Sequence, residues 1–466
     1  MAKRKKKVDY SPMLDQEMRY RSIEDITVDG YCLFGEYCNN QRALPDLRDG
    51  LKISYRRLLQ SALSFPAGKF TPTAEVITKV SLTSPHSTDG LKTTVSNWTR
   101  KPTKYDAAGN KYKGVSIFDG HGNFGSVGII DKDETNNDGA ATRYTKVRIS
   151  DAYRKVLGDL IHEVPWHPSP QVDDEAEYIP FPLPLCFFLG ADSVSGLGVA
   201  IKSDIPNFSA RSMYEAYINN DPSLLCPDVD LILDYQRSEL EKLWTTGKGK
   251  ITYSFRLQEY TGEDGKTQGV LIYGDPGIIT VSQRKLDKYM KDGKIVVEDV
   301  STVEGKKLLI SRMPNARGFS YADLKRLCES ICYSTLQFNL AVTDGKSAFV
   351  VPLYNWIDFT YKNYIGLINQ VNLKRIAKTE FDISVQKAIP IIVDYITNTN
   401  PKATDKEISK NLGISLEVIE AVMSKPISHL RKNKDTTDRI KQLKKKLADL
   451  KAFDPVIFTR DVINEL

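Results

Sequence analysis

Residues 41–63 read QRALPDLRDGLKISYRRLLQSAL, a turn followed by an amphipathic pattern. After the turn-prone Asp49-Gly50, the residues Leu51, Tyr55, Leu58, Leu59, Ala62 and Leu63 recur at helical spacing, which predicts a helix with one apolar face. Lys52 and Arg56 then lie one turn apart on a flank, with Arg57 further round, and this basic side is expected to face outward toward a ligand. The surroundings agree in charge: residues 48–104 hold ten basic residues against three acidic ones, Asp49, Glu75 and Asp89. Residues 1–155 carry 26 Lys+Arg and 18 Asp+Glu, a local charge of +8 in a chain whose total is +6. Such a concentration is the footprint of a surface that holds phosphates, so nucleic acid is the leading partner class. The Lys3 to Lys7 run is weaker evidence, because a terminal charge block is commonly a solvated tail.

Further out, the 466 residues are 41% hydrophobic and 27% charged, which fits a folded chain of several structural units and excludes a disordered polymer. No run of some 18 apolar residues occurs, and the basic N-terminus MAKRKKKVDY lacks the apolar stretch of a secretory signal, so the expected location is the cytoplasm. Six cysteines and five histidines are scattered without a C-x-x-C pair, so no zinc site assembles from local spacing. Cys328 and Cys332, four residues apart, read as buried packing on one helix face.

Four glycines crowd residues 114–126, GVSIFDGHGNFGS, and predict a loop. The G-x-G-x-x-G at 120–125 follows no clear βαβ unit, and no Walker A pattern exists, so ATP binding by this chain is not expected. RYTKVRIS then predicts a short strand, and Ser150 an N-cap for a helix in DAYRKVLGDLIHEV. Tyr144 precedes that helix among Arg143, Lys146 and Arg148, so a phosphate near its hydroxyl would meet several cations. Residues 166–352 mix alternating β patterns (KITYSFRLQEY, GVLIYGD) with helical ones (YADLKRLCESICYSTLQ) and read as α+β. From 353 onward the pattern is helical, and Ile440, Leu443, Leu447 and Leu450 follow the 3,4,3 spacing of a coiled-coil seam.

Taken together, QRALPDLRDGLKISYRRLLQSAL, DGHGNFGS and AATRYTKVRIS, in this order and separation, resemble the breakage-reunion (gyrase A-like) subunit of type IIA DNA topoisomerases. The similarity continues through FPLPLCFFLGADSVSGLGVAIKSDIPNFS, GKGKITYSFR, LQFNLAVTDG and ISLEVIEAVMSKPISHLRKN, and so covers the chain from about residue 31. Since the sequence ends just after the seam, without the DNA-wrapping C-terminal domain or glutamine-arginine-glycine box of gyrase, it resembles most the short branch of the family found in T-even phages. That would place it in the host cytoplasm and imply relaxation and strand passage rather than supercoiling by wrapping. The fold implied is an α+β multidomain one: a basic N-terminal arm (1–30), a winged-helix DNA-gate domain (31–165), a tower domain (166–352), and a long antiparallel coiled coil with a helical C-gate (353–466).

The resemblance also implies roles. Tyr144 is the nucleophile that becomes joined to a 5′ phosphate of DNA, and Arg143 stabilises the charge that builds at phosphorus. Arg42, Arg48, Lys52, Arg56 and Arg57 hold the cleaved segment, His86 hydrogen-bonds the scissile phosphate or the leaving oxygen, and Leu197 wedges between base pairs of the bent duplex. At His86 the sequence departs from the family pattern, with Ser87 where the family has glycine. No carboxylate cluster looks like a magnesium site: Asp228 and Asp230 fall on a structural segment of the family, and Asp131, Asp133 and Glu134 sit in a polar loop. Magnesium and ATP are therefore expected on partner subunits, namely Toprim and ATPase chains of the gyrase B type, joined to a homodimer of this one on double-stranded DNA. The alternative is an architectural DNA-binding protein of the same fold without chemistry. A tyrosine recombinase would need an Arg-His-x-x-Arg cluster, which is absent from the sequence.

Overall fold

In a computed structural model of the chain, the stretch after Asp49-Gly50 folds as a helix over Ile53–Leu63, and Lys52 occupies its N-cap position. The structure describes residues 22–466 apart from 84–87, 101–102, 106–110, 114, 127, 131–138, 159, 169–173, 190–193, 228–230, 235–236, 263–266, 275–278, 302–305 and 426–432. His86, the Lys3 to Lys7 run and the carboxylates Asp131, Asp133, Glu134, Asp228 and Asp230 lie outside the described residues.

The N-terminal part opens with helix α1 (Ile23–Cys38), which runs into a π-helical turn, Asn39–Ala43. It continues with α2 (Ile53–Leu63), β1 (Thr71–Pro72), α3 (Thr73–Thr83), α4 (Thr88–Thr99), β2 (Phe118–His121), β3 (Lys146–Ile149) and α5 (Asp151–Leu157). The strands form a small antiparallel sheet in the order β1-β3-β2, with Thr71 opposite Val147 and Phe118 opposite Ile149. Leu58 and Leu59 of α2, Val76 and Val80 of α3, Val95 and Trp98 of α4, and Phe118 and Val147 of the sheet are all buried together. The apolar face of α2 is thus the predicted one, but the polar face is not, because Arg56 is only 5% exposed.

Two larger antiparallel sheets follow. One contains β4 (Val194–Leu197), β5 (Lys202–Ile205), β6 (Ile232–Asp234), β7 (Lys248–Ser254) and, later in the chain, a strand over Tyr333–Asn339, in the order β6-β7-(Tyr333–Asn339)-β5-β4. The other is built from β8 (Arg256–Thr261), β9 (Gln268–Tyr273), β10 (Ile295–Asp299) and β11 (Lys307–Arg312), in the order β8-β9-β11-β10. Helices α6 (Ala210–Asn219), α7 (Arg237–Thr246), α8 (Gln283–Lys291) and α9 (Tyr321–Cys332) intervene. Ser320 starts α9 with a capping box, its hydroxyl accepting from Asp323 N while Asp323 accepts from Ser320 N at 2.8 Å.

The chain then enters α10 (Leu353–Asp394), 42 residues long, followed by α11 (Asp405–Leu412), α12 (Leu416–Met423), α13 (Asn433–Ala452) and α14 (Pro455–Asn464). Helix α13 runs back along α10: Asn372 Nδ2 donates to Leu450 O at 3.0 Å and Lys451 pairs with Glu380 at 2.7 Å. Ile440, Leu443, Leu447 and Leu450 are half-buried between exposed neighbours, so the 3,4,3 pattern is the packed seam of this helix pair. At the far end, Val385, Ile389 and Ile392 of α10 close a small separate core with Ile408, Val418, Ile419 and Val422. The main core runs from Leu51 to Ile368 and takes in Val462 and Ile463 of α14, so the expected breaks at 165/166 and 352/353 both fall inside one continuous apolar cluster.

Two expectations, YSTLQ as helix and RYT as strand, need correction. The YSTLQ expected at the end of a helix is strand, because it begins a seven-residue run after Cys332 that pairs along the whole of β7, from Tyr333 opposite Ser254 to Asn339 opposite Lys248. Arg143 and Tyr144 of RYT lie in a 3₁₀ turn, Thr142–Tyr144, and Thr145 links it in extended conformation to β3, rather than RYT forming part of the strand. Ser150 does stand at the N-cap of α5, but its side chain makes no capping bond.

Candidate active site

The 3₁₀ turn puts Tyr144 outside the sheet, 66% exposed, with its own N–H held by Ala141 O at 2.8 Å. The next residue anchors the turn: Thr145 is buried, its hydroxyl donates to Thr73 Oγ1 at 2.9 Å, and its carbonyl accepts from Thr73 N at 2.9 Å. The glycine-rich segment, expected as loop throughout but strand β2 over Phe118–His121, braces the turn from the other side. Ala140 N donates to Asn123 O at 2.8 Å, and Gly122 sits at φ 114°, where a Cβ would come within 3.2 Å of Tyr144 O. Glycine is needed there for both reasons. The loop's place in the molecule is therefore to support the tyrosine's backbone, and the sheet register brings His121 opposite Lys146 beside it.

The Arg143 guanidinium carbon lies 4.7 Å from the Tyr144 ring centroid, a cation–π contact. Arg143 and the exposed Lys146 have no ion pair among the described residues, whereas Arg148 is committed to Asp119 at 3.0 Å and Asp151 at 3.4 Å. The tyrosine ring thus carries one cation without an ion pair among the described residues, Arg143, on a backbone fixed by Thr145, with Lys146 two residues on.

The second group of predicted residues is assembled around the Asp49-Gly50 turn, and no hydrogen bond or ion pair joins it to the first among the described residues. Here the structure separates cations that look alike in sequence. Arg42 is exposed on the π-helical turn without an ion pair among the described residues. Arg56 points inward, bound by Asp49 Oδ2 at 2.8 Å and Asp46 Oδ2 at 3.0 Å. Burial alone would lower its pKa, but the two carboxylates outweigh this and hold it above the ordinary arginine value. For Asp46 burial works upward, and the bonds from Arg48 with the charge of Arg56 leave its pKa below the usual carboxylate value.

Arg48 spans Asp46 and Glu177, both at 2.8 Å, and Arg57 lies fork to fork on Glu175, Nε and Nη2 each 2.9 Å away. Asp49 further accepts from Leu51 N at 2.9 Å and Ile179 N at 3.0 Å. In this structure Arg48, Arg56 and Arg57 are all engaged by carboxylates, some far along the chain, and Arg56, buried between Asp46 and Asp49, has no surface to offer a phosphate. Lys52 is also turned to the protein. Its Nζ donates to Ser195 O at 2.5 Å, and burial lowers its pKa.

Leu197, by contrast, is 81% exposed at the end of β4, an unusual position for a large apolar side chain. Its neighbour Gly196 faces the body so closely that a Cβ would lie 2.0 Å from Ala43 O, which leaves Leu197 pointing away. The register then reveals residues that sequence reasoning missed. Leu197 is opposite Lys202, Asp204 is opposite Ser195 and Asn339, Lys248 is opposite Asn339, and Lys250 is opposite Gln337. Opposed residues and those two apart share a face, so Leu197, Lys202, Lys248 and Lys250 lie on one side of the sheet. That side, with Lys242 of α7, borders a groove of about 670 Å³. Lys248-Gly249-Lys250 in a period-2 strand was the available signal. No group of three or more His, Cys, Asp or Glu side chains among the described residues is placed to hold a metal ion.

The sequence model of the family of DNA gyrase/topoisomerase IV A subunits matches residues 42–465. The chain belongs to this family. Among curated proteins, those similar to it include the DNA topoisomerase 4 A subunit of Streptococcus pneumoniae, 24% identical over 86% of this chain and 49% of that protein. The DNA gyrase A subunit of Aminobacterium colombiense is 26% identical over 88% of this chain and 51% of its own length. The DNA topoisomerase 4 A subunit of Mycoplasma pneumoniae is 23% identical over 96% and 57%. The chain thus spans about half the length of these gyrase/topoisomerase IV A relatives.

Proposed function

We propose that this chain is the DNA breakage-and-rejoining subunit of a type IIA DNA topoisomerase, with Tyr144 as nucleophile. The observation that carries the reading is an exposed tyrosine on a braced turn, beside an arginine with no ion pair among the described residues, in a chain whose family is that of gyrase and topoisomerase IV A subunits. In the proposed step Tyr144 Oη bonds to phosphorus in line as the bond from phosphorus to the deoxyribose 3′ oxygen breaks. The phenolic proton leaves to solvent or a base, and the departing 3′ oxygen takes one up. One phosphodiester replaces another, so resealing is the reverse step and needs no outside energy. Arg143 supplies charge to the crowded phosphorus oxygens, a task suited to its planar fork.

In this reading residues 31–165 are the winged-helix gate domain, 166–352 the tower, and α10 with α13 the arm leading to a dimerising C-gate. DNA rests on Arg42 and on the Lys248 and Lys250 face of the sheet, where Lys202 is paired with Asp204 at 2.6 Å, with Leu197 at its edge as the wedge that opens a base step. Unstacking costs a few kcal/mol, offset by the extra protein surface that a bent duplex wraps. His86 belongs to the same site by family resemblance. Magnesium and ATP are assigned to Toprim and ATPase chains. Helix α1, with Ile23, Ile26, Tyr31, Leu33, Phe34 and Tyr37 all exposed, offers such a partner its apolar contact.

The test mixes the full chain with candidate Toprim and ATPase partners, magnesium and supercoiled plasmid, and traps adducts with detergent. Wild type is expected to stay attached to DNA 5′ ends and Tyr144→Phe to leave only background. Adducts surviving that change refute the assignment. DNA bending without any wild-type adduct would favour the architectural alternative.

A further inference from the structure

The β4–β5 hairpin that carries Leu197 is held at its tip by one side chain. Asn39 Oδ1 accepts from Val199 N at 2.7 Å, and Asn39 Nδ2 donates to Val199 O at 3.1 Å. A carboxamide used in this two-point way fixes both the position and the orientation of the backbone it grips. The seat continues one helical turn earlier. Gly35 is the single buried residue of α1 among the described ones, and a Cβ there would lie 3.3 Å from Val199 Cγ1, so the valine side chain rests on the gap that glycine leaves. Gly35 and Asn39 are four apart and share a helix face.

Asn39 also begins the π-helical turn that ends at Ala43 and includes exposed Arg42. Such turns insert one extra residue and are frequent at functional sites. Here the turn lets one short segment present Asn39 and Ala43 O to the hairpin and Arg42 to solvent. Asn39, Lys52 through Ser195 O, and the close approach of Gly196 to Ala43 O are thus three fixed points on a hairpin whose one exposed large apolar side chain, among the described residues, is Leu197.

The geometry points to Asn39, seated with Gly35, as a positioning residue that sets where Leu197 stands relative to Arg42, and so how far the duplex is bent. This rests on the reading of Leu197 as a wedge. In this reading Asn39 acts through Val199 on the strand end rather than on the reacting atoms. No signal of it stands in the sequence around Asn39, because the partner lies 160 residues away.

The experiment measures bending of a short duplex, dye-labelled at both ends, by energy transfer at saturating full-length protein, for wild type, Asn39→Ala, Asn39→Asp, Leu197→Ala and Asn39→Ala/Leu197→Ala. Two lost hydrogen bonds are expected to lower the bent population about tenfold in Asn39→Ala. Asn39→Asp, which keeps the acceptor for Val199 N and loses the donor, is expected to fall between it and wild type. The double variant is expected to match Leu197→Ala, because Asn39 acts through that side chain. Melting temperatures and hydrogen exchange of the Val199 amide separate loss of the clamp from loss of the fold: exchange should quicken while melting stays near wild type. If Leu197→Ala straightens the DNA but Asn39→Ala bends it as wild type does, or if the two effects add, the positioning role is overturned and the wedge stands. If Leu197→Ala bends DNA normally, the wedge reading itself falls and takes the positioning role with it.

Discussion

The segment from Arg42 to Arg57 and the turn at Tyr144 are equally basic on paper and opposite in the fold. In the first, Arg48, Arg56 and Arg57 are tied to Asp46, Asp49, Glu175 and Glu177, and Lys52 to a carbonyl, while Arg42 is exposed without an ion pair among the described residues. In the second, Arg148 is paired, while Arg143 and Lys146 have no ion pair among the described residues. The difference teaches that local charge density does not measure a phosphate-binding surface. Carboxylates can arrive from 118 or 129 residues away and consume the charge. What they build is a fastener between the Asp49-Gly50 turn and residues 175–179, which holds the region carrying Arg42 in place. The tyrosine turn is fastened by neutral bonds through Thr145 and the glycine loop, and two of its cations are left to meet a ligand.

This contrast can be broken by substitution. Arg56→Met should be the most damaging change, because it leaves Asp49 buried without its cation; a loss of about 3–5 kcal/mol is expected in denaturant unfolding. An Arg56→Met protein of wild-type stability with weakened DNA binding would restore the phosphate role. Arg143→Ala should do the reverse. Unfolding should change by no more than about 0.5 kcal/mol, while the rate of adduct formation falls about 10²–10³-fold, the usual effect of losing one donor to a developing oxyanion. A smaller effect concerns acid. Asp46 is held below its ordinary pKa in the fold, so its contribution is complete above the unfolded carboxylate range and fades as pH falls through the folded value. Asp46→Asn should therefore be less stable than wild type at neutral pH and lose less on acidification, as read by melting temperature across pH. Smallest is Arg42→Ala, which should weaken all duplexes alike and reduce the slope of log K against log salt by about 0.9. The same salt slope for wild type and Arg42→Ala would remove Arg42 from the interface.

Sequence reading reached those features whose cause is local. The Ile440 to Leu450 seam follows from periodicity, the apolar face of α2 from spacing, and the family from three motifs in order. Features whose cause is distant stayed hidden. Arg56 looked like an outward residue because Asp49, which draws it in, read only as part of a turn, and Asp46 carried no signal of its own. YSTLQ looked helical until β7 offered each of its five residues a pairing partner. The Lys202, Lys248 and Lys250 face exists through strand register, and Asn39 matters through a hairpin far along the chain, so neither leaves a mark in a short window. Ser150 has the right residue type for a cap, but its side chain makes no capping bond.

The central claim is that Tyr144 Oη exchanges esters with DNA. The most direct measurement is to trap the adduct formed with partner chains and magnesium, digest protein and DNA, and fragment the nucleotide-bearing peptide by mass spectrometry. The account predicts a 5′-linked nucleotide on Tyr144. A nucleotide on any other side chain, or attachment through a 3′ phosphate, would contradict it.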